Sequence, residues 1–158
     1  MTFLLVEQRP VVRTLKRKKS IIIFMSVSEN FPYISQTVKV DETVLIIGEV
    51  YVGEHCSLGE SVVLEAKFGR LVLGDKVQIG SSSRVWSNRT RTKIGDHTTI
   101  GQNCDISCDI GHHCTIENNV TLHASVEIGS NCQIEADQEL KEMTIPDNST
   151  VRAGKILD

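Results

Sequence analysis

A ten-residue segment, DISCDIGHHC, holds residue types that could bind a metal ion. It runs from Asp105 to Cys114 and contains two cysteines, two adjacent histidines and two aspartates. Thiolates, imidazoles and carboxylates are the usual protein ligands of zinc and other transition metals. Whether these side chains converge on one point depends on the elements that carry them.

The composition of the 158-residue chain favours a single all-β domain. Aromatic residues make up only 4% of the chain, so branched aliphatics must build most of the core, and these residues prefer strands. No segment approaches the roughly 20 consecutive apolar residues of a membrane helix, so no membrane insertion is expected. Five cysteines, an odd number, argue against a disulfide framework and favour a reducing compartment.

The net charge of -3 conceals a basic amino-terminal segment. Residues 1–24 carry six basic residues and one acid, whereas residues 25–158 carry 11 basic and 19 acidic residues. Such an acidic body argues against nucleic acid as a partner. We expect residues 1–33 to be a poorly ordered extension. The alternatives for the basic stretch are a mitochondrial transit peptide, a nuclear signal, or an upstream extension before a second start at Met25. Its basic residues are Arg9, Arg13, Lys16, Arg17, Lys18 and Lys19.

Branched aliphatic residues recur every six positions beyond residue 34. Thirteen of the seventeen steps between them are six residues long, and many of these aliphatics are followed by glycine. Each repeat therefore predicts a short strand followed by a corner, and three strands close a triangular coil of about 18 residues. The predicted faces are Val40, Leu58, Ile79, Ile100, Ile116 and Ile134 (face one); Ile46, Leu64, Val85, Ile106, Leu122 and Ile145 (face two); and Val52, Leu73, Ile94, Ile110, Ile128 and Val151 (face three).

This pattern resembles the left-handed parallel β-helix of the hexapeptide-repeat superfamily. The resemblance predicts an all-β, single-stranded left-handed β-helix of about six triangular coils over residues 34–154, with residues 155–158 as a C-terminal tail. The left hand follows from the resemblance alone, because parallel crossovers are otherwise right-handed. The longest step, from Ile134 to Ile145, is predicted to be a loop in the last coil.

The repeat assigns structural roles to most cysteines and histidines. Four cysteines stand four places after an inward aliphatic and are predicted to be small buried packers. Histidines and asparagines three places after an inward residue are predicted to turn corners with positive φ. The cysteines are Cys56, Cys104, Cys114 and Cys132, and the corner residues are His55, His97, His113, Asn103, Asn119, Asn131 and Asn148.

The arrangement of insertions is similar to that of the gamma-class carbonic anhydrases. In that family three histidines bind the metal, and their positions correspond here to Trp86 in RVWSN, Gln102 in IGQNC and Ser107 in DISCD. None of these is a usual metal ligand, and a catalytic zinc requires three protein ligands besides its water. The resemblance therefore implies neither a metal nor another cofactor.

The sequence looks most like the subunit 6 family of dynactin, through its coil phasing and its closing segment TIPDNSTVRAGKIL. That resemblance implies a non-enzymatic adaptor in the cytoplasm, associated with the cytoskeleton. Its implied partners are a sister β-helix subunit and other dynactin subunits, in a hetero-oligomer rather than a homotrimer. One alternative is a catalytically inactive anhydrase-like subunit of mitochondrial complex I. Another is a hexapeptide acyltransferase, whose candidate base is His123 in VTLHASV.

The partner surface is predicted around Trp86, the only tryptophan. Val85 points inward, so its neighbour Trp86 should point outward. Exposed tryptophan and arginine are enriched at binding hot spots. The candidate interface residues are Arg84, Trp86, Arg89, Arg91 and His123.

Overall fold

A computed structural model describes residues 11–17, 20–26, 32–87 and 90–157, with side chains described for the last two ranges. These residues form strands and turns but no helix, and hence no helix long and apolar enough to span a membrane. The strands pair in parallel from coil to coil, with like positions of successive repeats in register. The chain is therefore a β-solenoid of about six turns.

Face one is an eight-stranded sheet. Its first seven strands are parallel, and the last one turns back antiparallel to cover the C-terminal edge. In order from the amino-terminal coil the strands are β4 (Lys39–Val40), β6 (Ser57–Leu58), β8 (Gln78–Ile79), β11 (Thr99–Ile100), β14 (Thr115–Ile116), β17 (Gln133–Ile134), β20 (Thr150–Arg152) and β21 (Lys155–Leu157).

Faces two and three belong to one 13-stranded sheet, because two long strands run around the corner between them. These long strands are β5 (Leu45–Val52) and β7 (Val63–Leu73). Face two continues through β9 (Arg84–Ser87), β12 (Asp105–Ile106), β15 (Thr121–Leu122) and β18 (Glu139–Leu140). Face three starts at β3 (Tyr33–Ile34) and continues through β10 (Arg91–Ile94), β13 (Asp109–Ile110), β16 (Glu127–Ile128) and β19 (Thr144–Ile145).

The last coil differs from the prediction. Leu140 pairs with Leu122 and is the inward residue of face two, so the predicted loop contains a regular strand. Ile145 pairs with Ile128 on face three, and Val151 pairs with Ile134 on face one. The assignment of Ile145 to face two and of Val151 to face three was wrong. The eleven residues from Ile134 to Ile145 contain two strands, because a step of six leads to Leu140 and a step of five leads on to Ile145.

The inward aliphatics form one continuous core. Nearly all of them are buried, as are the four cysteines predicted to pack beside them. Each such side chain stabilises the fold by roughly 1.5 to 3 kcal/mol when fully buried. The solenoid is therefore held together by a narrow aliphatic column that runs through every coil.

The buried thiols also make hydrogen bonds that the sequence pattern did not predict. Four of the five buried thiols donate to a backbone carbonyl of the following coil, and hydroxyls at equivalent corners do the same. The thiol pairs, each at 3.1 Å, are Cys56 with Gly74, Cys104 with Glu117, Cys114 with Gly129 and Cys132 with Pro146. The hydroxyl pairs are Ser83 with Gly101 and Thr98 with Gly111.

The predicted corner residues all have positive φ, between 54° and 63°, which confirms their backbone role.

The corner after face three is closed at its C-terminal end by Pro146. In the coil above, the Gly129 N–H donates to the Ile145 carbonyl. Pro146 occupies the matching place in the last coil and has no N–H to offer to a further strand.

Two strands lie within the segment predicted as an extension, residues 1–33. They are β1 (Val11–Arg17) and β2 (Ser20–Ser26), which pair as an antiparallel hairpin, and β2 also pairs in parallel with β5. At the other end, the segment predicted as a tail contains β21. The division of the chain at residues 33 and 154 stays a prediction.

Candidate functional site

A row of polar side chains runs down the outside of face two, each member directly after an inward residue. Adjacent strands lie about 4.8 Å apart, so neighbours in the row can share hydrogen-bond partners. On each strand, the residue directly before the inward residue also points outward. We call these residues and the row together the face-two surface. It comprises Glu65, Arg84, Trp86, Asp105, Ser107, Thr121, His123, Glu139 and Lys141.

The residues at the carbonic anhydrase ligand positions do not fit a metal ion. The Trp86 indole is a donor only, and its Nε1–H donates to Asp105 Oδ1 at 2.7 Å. The Ser107 hydroxyl is buried and donates to the Leu122 carbonyl at 3.0 Å. Gln102 is exposed on the corner after face one. Among the described residues no group of three or more histidine, cysteine or acidic side chains is arranged to hold a metal.

The segment that looked like a metal site is divided between the core and a corner. Cys108 and Cys114 are buried, and burial raises the pKa of the Cys114 thiol to about 11, which disfavours the thiolate that a metal needs. His112 and His113 are on the outside, with their Nδ1 atoms 3.5 Å apart. The His113 ring stacks on His97 of the preceding coil.

Trp86 and Arg84 are neighbours on the face-two surface, as predicted from the alternation of the strand. The guanidinium lies 5.1 Å from the centre of the indole ring and also forms an ion pair with Glu65. Together with the bond to Asp105, these contacts leave Trp86 half-buried. The tryptophan is therefore built into the face rather than standing free on it.

The other predicted interface residues do not join this cluster. Arg91 is exposed on face three, beyond the corner that follows Trp86. Arg89 lies outside the described residues. His123 is on the face-two surface but two coils below Trp86. The candidate interface is therefore distributed over two faces, and its role in binding a partner stays a prediction.

His123 belongs to a charged group at the C-terminal end of the face-two surface. Its Nε2 lies 2.8 Å from Glu139 Oε1, and the Lys141 ammonium lies 2.7 Å from the same oxygen. Hydrogen bonds from Lys141 and, next, from His123 lower the pKa of Glu139, so this carboxylate stays charged near neutral pH. The structure thus presents a half-exposed imidazole fixed by an ionised carboxylate.

Sequence analysis singled out His123 but missed Glu139 and Lys141. Glu139 is sixteen residues from His123 and faces it only because β15 and β18 pair in register. The six-residue repeat could have revealed them, because Leu140 follows Ile134 after six residues and its neighbours Glu139 and Lys141 must then point outward. That stretch was instead assigned to a loop.

Comparison with known proteins agrees with this architecture. A family profile described as the hexapeptide repeat of succinyl-transferase matches residues 91–124. The "Probable carbonic anhydrase" of Methanocaldococcus jannaschii is 29% identical over 96 residues, which are 60% of this chain and 57% of that protein. The chain thus spans less than two thirds of that relative.

The solved structures define the fold. A Bacillus cereus protein assigned to the acetyltransferases superposes with a TM-score of 0.71 at 22% identity, over 86% of this chain and 81% of that one. This chain is a left-handed β-helix of the hexapeptide-repeat type. The UDP-N-acetylglucosamine O-acyltransferase of Moraxella catarrhalis matches with a TM-score of 0.49 at 18% identity, over 75% of this chain and 62% of that one.

These comparisons correct the prediction that the protein is not an enzyme. The matching family profile and the neighbouring structures come from transferases, and the matching curated relative is named as a carbonic anhydrase. None of these relatives is named as a subunit of dynactin or of complex I. The prediction was wrong because missing metal ligands argue against one reaction on this fold but leave acyl transfer open, which needs a positioned base rather than a metal.

Proposed function

We propose that this chain catalyses acyl transfer to a hydroxyl or amine acceptor, with His123 as the general base. The observation that carries the proposal is the 2.8 Å contact between His123 Nε2 and Glu139 Oε1. A histidine oriented by a carboxylate is a recurring arrangement for removing a proton from a nucleophile. The transferase profile covers residues 91–124 and so includes His123, which supports this assignment.

The carboxylate selects the tautomer of His123. Ionised Glu139 accepts a hydrogen bond, so the neutral imidazole places its proton on Nε2 and its lone pair on Nδ1. Within the described residues no protein group hydrogen-bonds to that Nδ1. Nδ1 is therefore the atom that can take a proton from an acceptor.

The reaction balances with an acyl thioester as the donor. Nδ1 takes the proton of the acceptor O–H or N–H while the acceptor atom bonds to the carbonyl carbon of the thioester. The C–S bond of the tetrahedral intermediate then breaks, and the leaving thiolate takes the proton back from the imidazolium. The products are an ester or amide and a free thiol, with no change in oxidation state.

Release of thiol from acetyl-coenzyme A tests the proposal. The full chain is assayed with a panel of hydroxyl and amine acceptors, and the best acceptor is then used with His123→Gln. We expect the substitution to lower kcat/KM by about 10²- to 10⁴-fold, the usual contribution of a general base. The matched control is His112→Gln, an exposed histidine on a corner, which should retain the activity.

Two results would overturn the proposal. One is a wild-type chain that releases no thiol above the buffer rate with any acceptor in the panel. The other is a His123→Gln variant as active as the wild type. Circular dichroism of each variant shows that the comparison concerns folded protein.

Incorporation into a larger assembly, with dynactin or mitochondrial complex I as host, is a second proposal. It is supported by Trp86 and Arg84, residue types enriched at hot spots, on the outside of face two. Affinity purification with mass spectrometry should return subunits of one of these assemblies, and Trp86→Ala should reduce their recovery. Recovery of neither assembly by the wild-type chain would contradict it.

A further inference from the structure

His112 differs from the residues that occupy the same position in other coils. This position lies two places after the inward residue of face three, and a short side chain there usually accepts a backbone N–H of the preceding coil. The pairs are Asp75 with Glu54 at 2.8 Å, Asp96 with Asp75 at 2.9 Å, Ser130 with His112 at 3.3 Å and Asp147 with Ser130 at 2.7 Å. His112 instead has its Nδ1 atom 3.5 Å from Nδ1 of His113. Capping of the backbone therefore does not explain this imidazole.

The spacing of the two nitrogens suits a metal ion. The ring centres of His112 and His113 lie 5.6 Å apart, so the Nδ1 atoms, at 3.5 Å, are on the facing sides of the rings. Ordinary hydrogen bonds from N–H groups are about 2.7 to 3.2 Å long, and a proton shared over this longer distance binds only weakly. Two imidazole nitrogens bound to one zinc ion at about 2.0 to 2.1 Å lie about 3.3 to 3.4 Å apart in tetrahedral geometry. The observed distance is close to that value.

The pair is held in place and is open to solvent. His113 turns its corner with a φ of 58°, and its ring stacks on His97 with centres 4.7 Å apart and planes 7° from parallel. Ligands that are already held in their bound arrangement lose less entropy on binding. His112 and His113 are both exposed, so a hydrated cation can reach them. Asp96, whose carbonyl accepts the His113 N–H at 2.8 Å, adds an exposed carboxylate to the same corner.

We propose that His112 and His113 bind a divalent transition metal ion through both Nδ1 atoms. Neutral imidazole suits zinc, copper and nickel, whereas calcium and magnesium prefer oxygen ligands. Two protein ligands are fewer than the three of a catalytic zinc site or the four of a structural one. Water or an external donor therefore completes the coordination, and the site is an accessory one on the outside of the solenoid.

This site is on a different corner from the His123 chemistry and neither requires nor obstructs it, so loss of His112 should leave acyl transfer unaffected. Calorimetric titration of the full chain, prepared without a histidine tag, with Zn²⁺ alone tests the proposal. We expect one Zn²⁺ per chain. His112→Gln should weaken the affinity by about tenfold or more, since even residues that only support metal ligands contribute that much.

His55→Asn is the matched control. His55 is an exposed histidine at an equivalent corner, with a φ of 56°, but the residue before it is Glu54. Asparagine suits the same backbone geometry, as Asn131 shows with a φ of 57°. The control should therefore bind Zn²⁺ as tightly as the wild type.

Nitrogen-15 NMR of the wild-type histidines identifies the ligand atoms without relying on any variant. One equivalent of Zn²⁺ should shift the Nδ1 resonances of His112 and His113 together and leave those of His55 and His123 in place. Circular dichroism shows whether His112→Gln is folded. The proposal would be overturned by a wild type without saturable Zn²⁺ binding, by a folded His112→Gln variant of unchanged affinity, or by Zn²⁺ shifts spread equally over His55 and His123.

Discussion

The indole of Trp86 donates a hydrogen bond to the carboxylate of Asp105 at 2.7 Å, across two neighbouring coils of face two. The tryptophan ring also stacks with Arg84. Sequence reasoning treated this residue as a binding hot spot on an outer face. The structure gives it a second role, because it ties one coil of the solenoid to the next.

Replacing Trp86 by phenylalanine should therefore destabilise the isolated chain. The variant keeps an aromatic ring but loses the Nε1–H donor, and we expect the free energy of unfolding to fall by about 1 kcal/mol. Asp105→Asn is the matched control, since its amide oxygen still accepts the bond, and it should cost less than Trp86→Phe. Urea unfolding followed by circular dichroism measures both. Equal stability of wild type and Trp86→Phe would show that the bond contributes nothing.

The buried cysteines should tolerate serine better than valine. Cys114 Sγ donates to the Gly129 carbonyl at 3.1 Å, and at an equivalent corner the Thr98 hydroxyl makes the same bond to Gly111. Cys114→Ser keeps a donor, whereas Cys114→Val leaves the carbonyl without one and should lower the free energy of unfolding by about 1 kcal/mol more. Thermal unfolding of the two variants side by side measures the difference. A valine variant more stable than the serine variant would mean that the thiol acts only as an apolar packer.

The repeat predicted the features that depend on local sequence. An inward aliphatic and a corner residue three places later lie within one six-residue unit, so His97 and Asn119 could be assigned from spacing alone. Leu140 could not be assigned in this way, because the next inward residue, Ile145, follows it after five residues instead of six, and this interrupts the repeat. Strand register settles the matter, since Leu140 pairs with Leu122.

The candidate site was harder to predict than the fold for the same reason. His123 was recognisable as an outward histidine, but its partner Glu139 lies in the next coil. A contact between coils depends on which positions the solenoid stacks, and a single misplaced strand removes it.

The corner at His97 tests whether backbone geometry explains the histidines. Its φ is 58°, and asparagine occupies equivalent corners with similar φ at Asn119 and Asn131. His97→Asn should thus change the free energy of unfolding by less than about 0.5 kcal/mol, whereas the β-branched His97→Val should lower it by about 1 to 2 kcal/mol. Chemical denaturation of both variants provides the measurement. A valine variant as stable as the asparagine variant would refute the geometric explanation.

Lys141 should control the pH at which the His123 contact is lost. Its hydrogen bond is the largest cause that lowers the pKa of Glu139 below the ordinary value of 4.5. A carboxylate with a lowered pKa stabilises the folded state above its unfolded-state pKa, and that contribution disappears as the pH falls through the folded value. Lys141→Met should therefore raise the pKa of Glu139, so that the contact with His123 is lost at a higher pH.

Carbon-13 NMR of the glutamate carboxyls, with nitrogen-15 spectra of His123, follows both ends of this contact during an acid titration. Arg152→Met is the matched control, because Arg152 lowers the pKa of Glu135 and does not contact Glu139. That variant should shift the titration of Glu135 and leave Glu139 unchanged. If Lys141→Met leaves the Glu139 titration where it is in the wild type, the lysine does not hold this carboxylate.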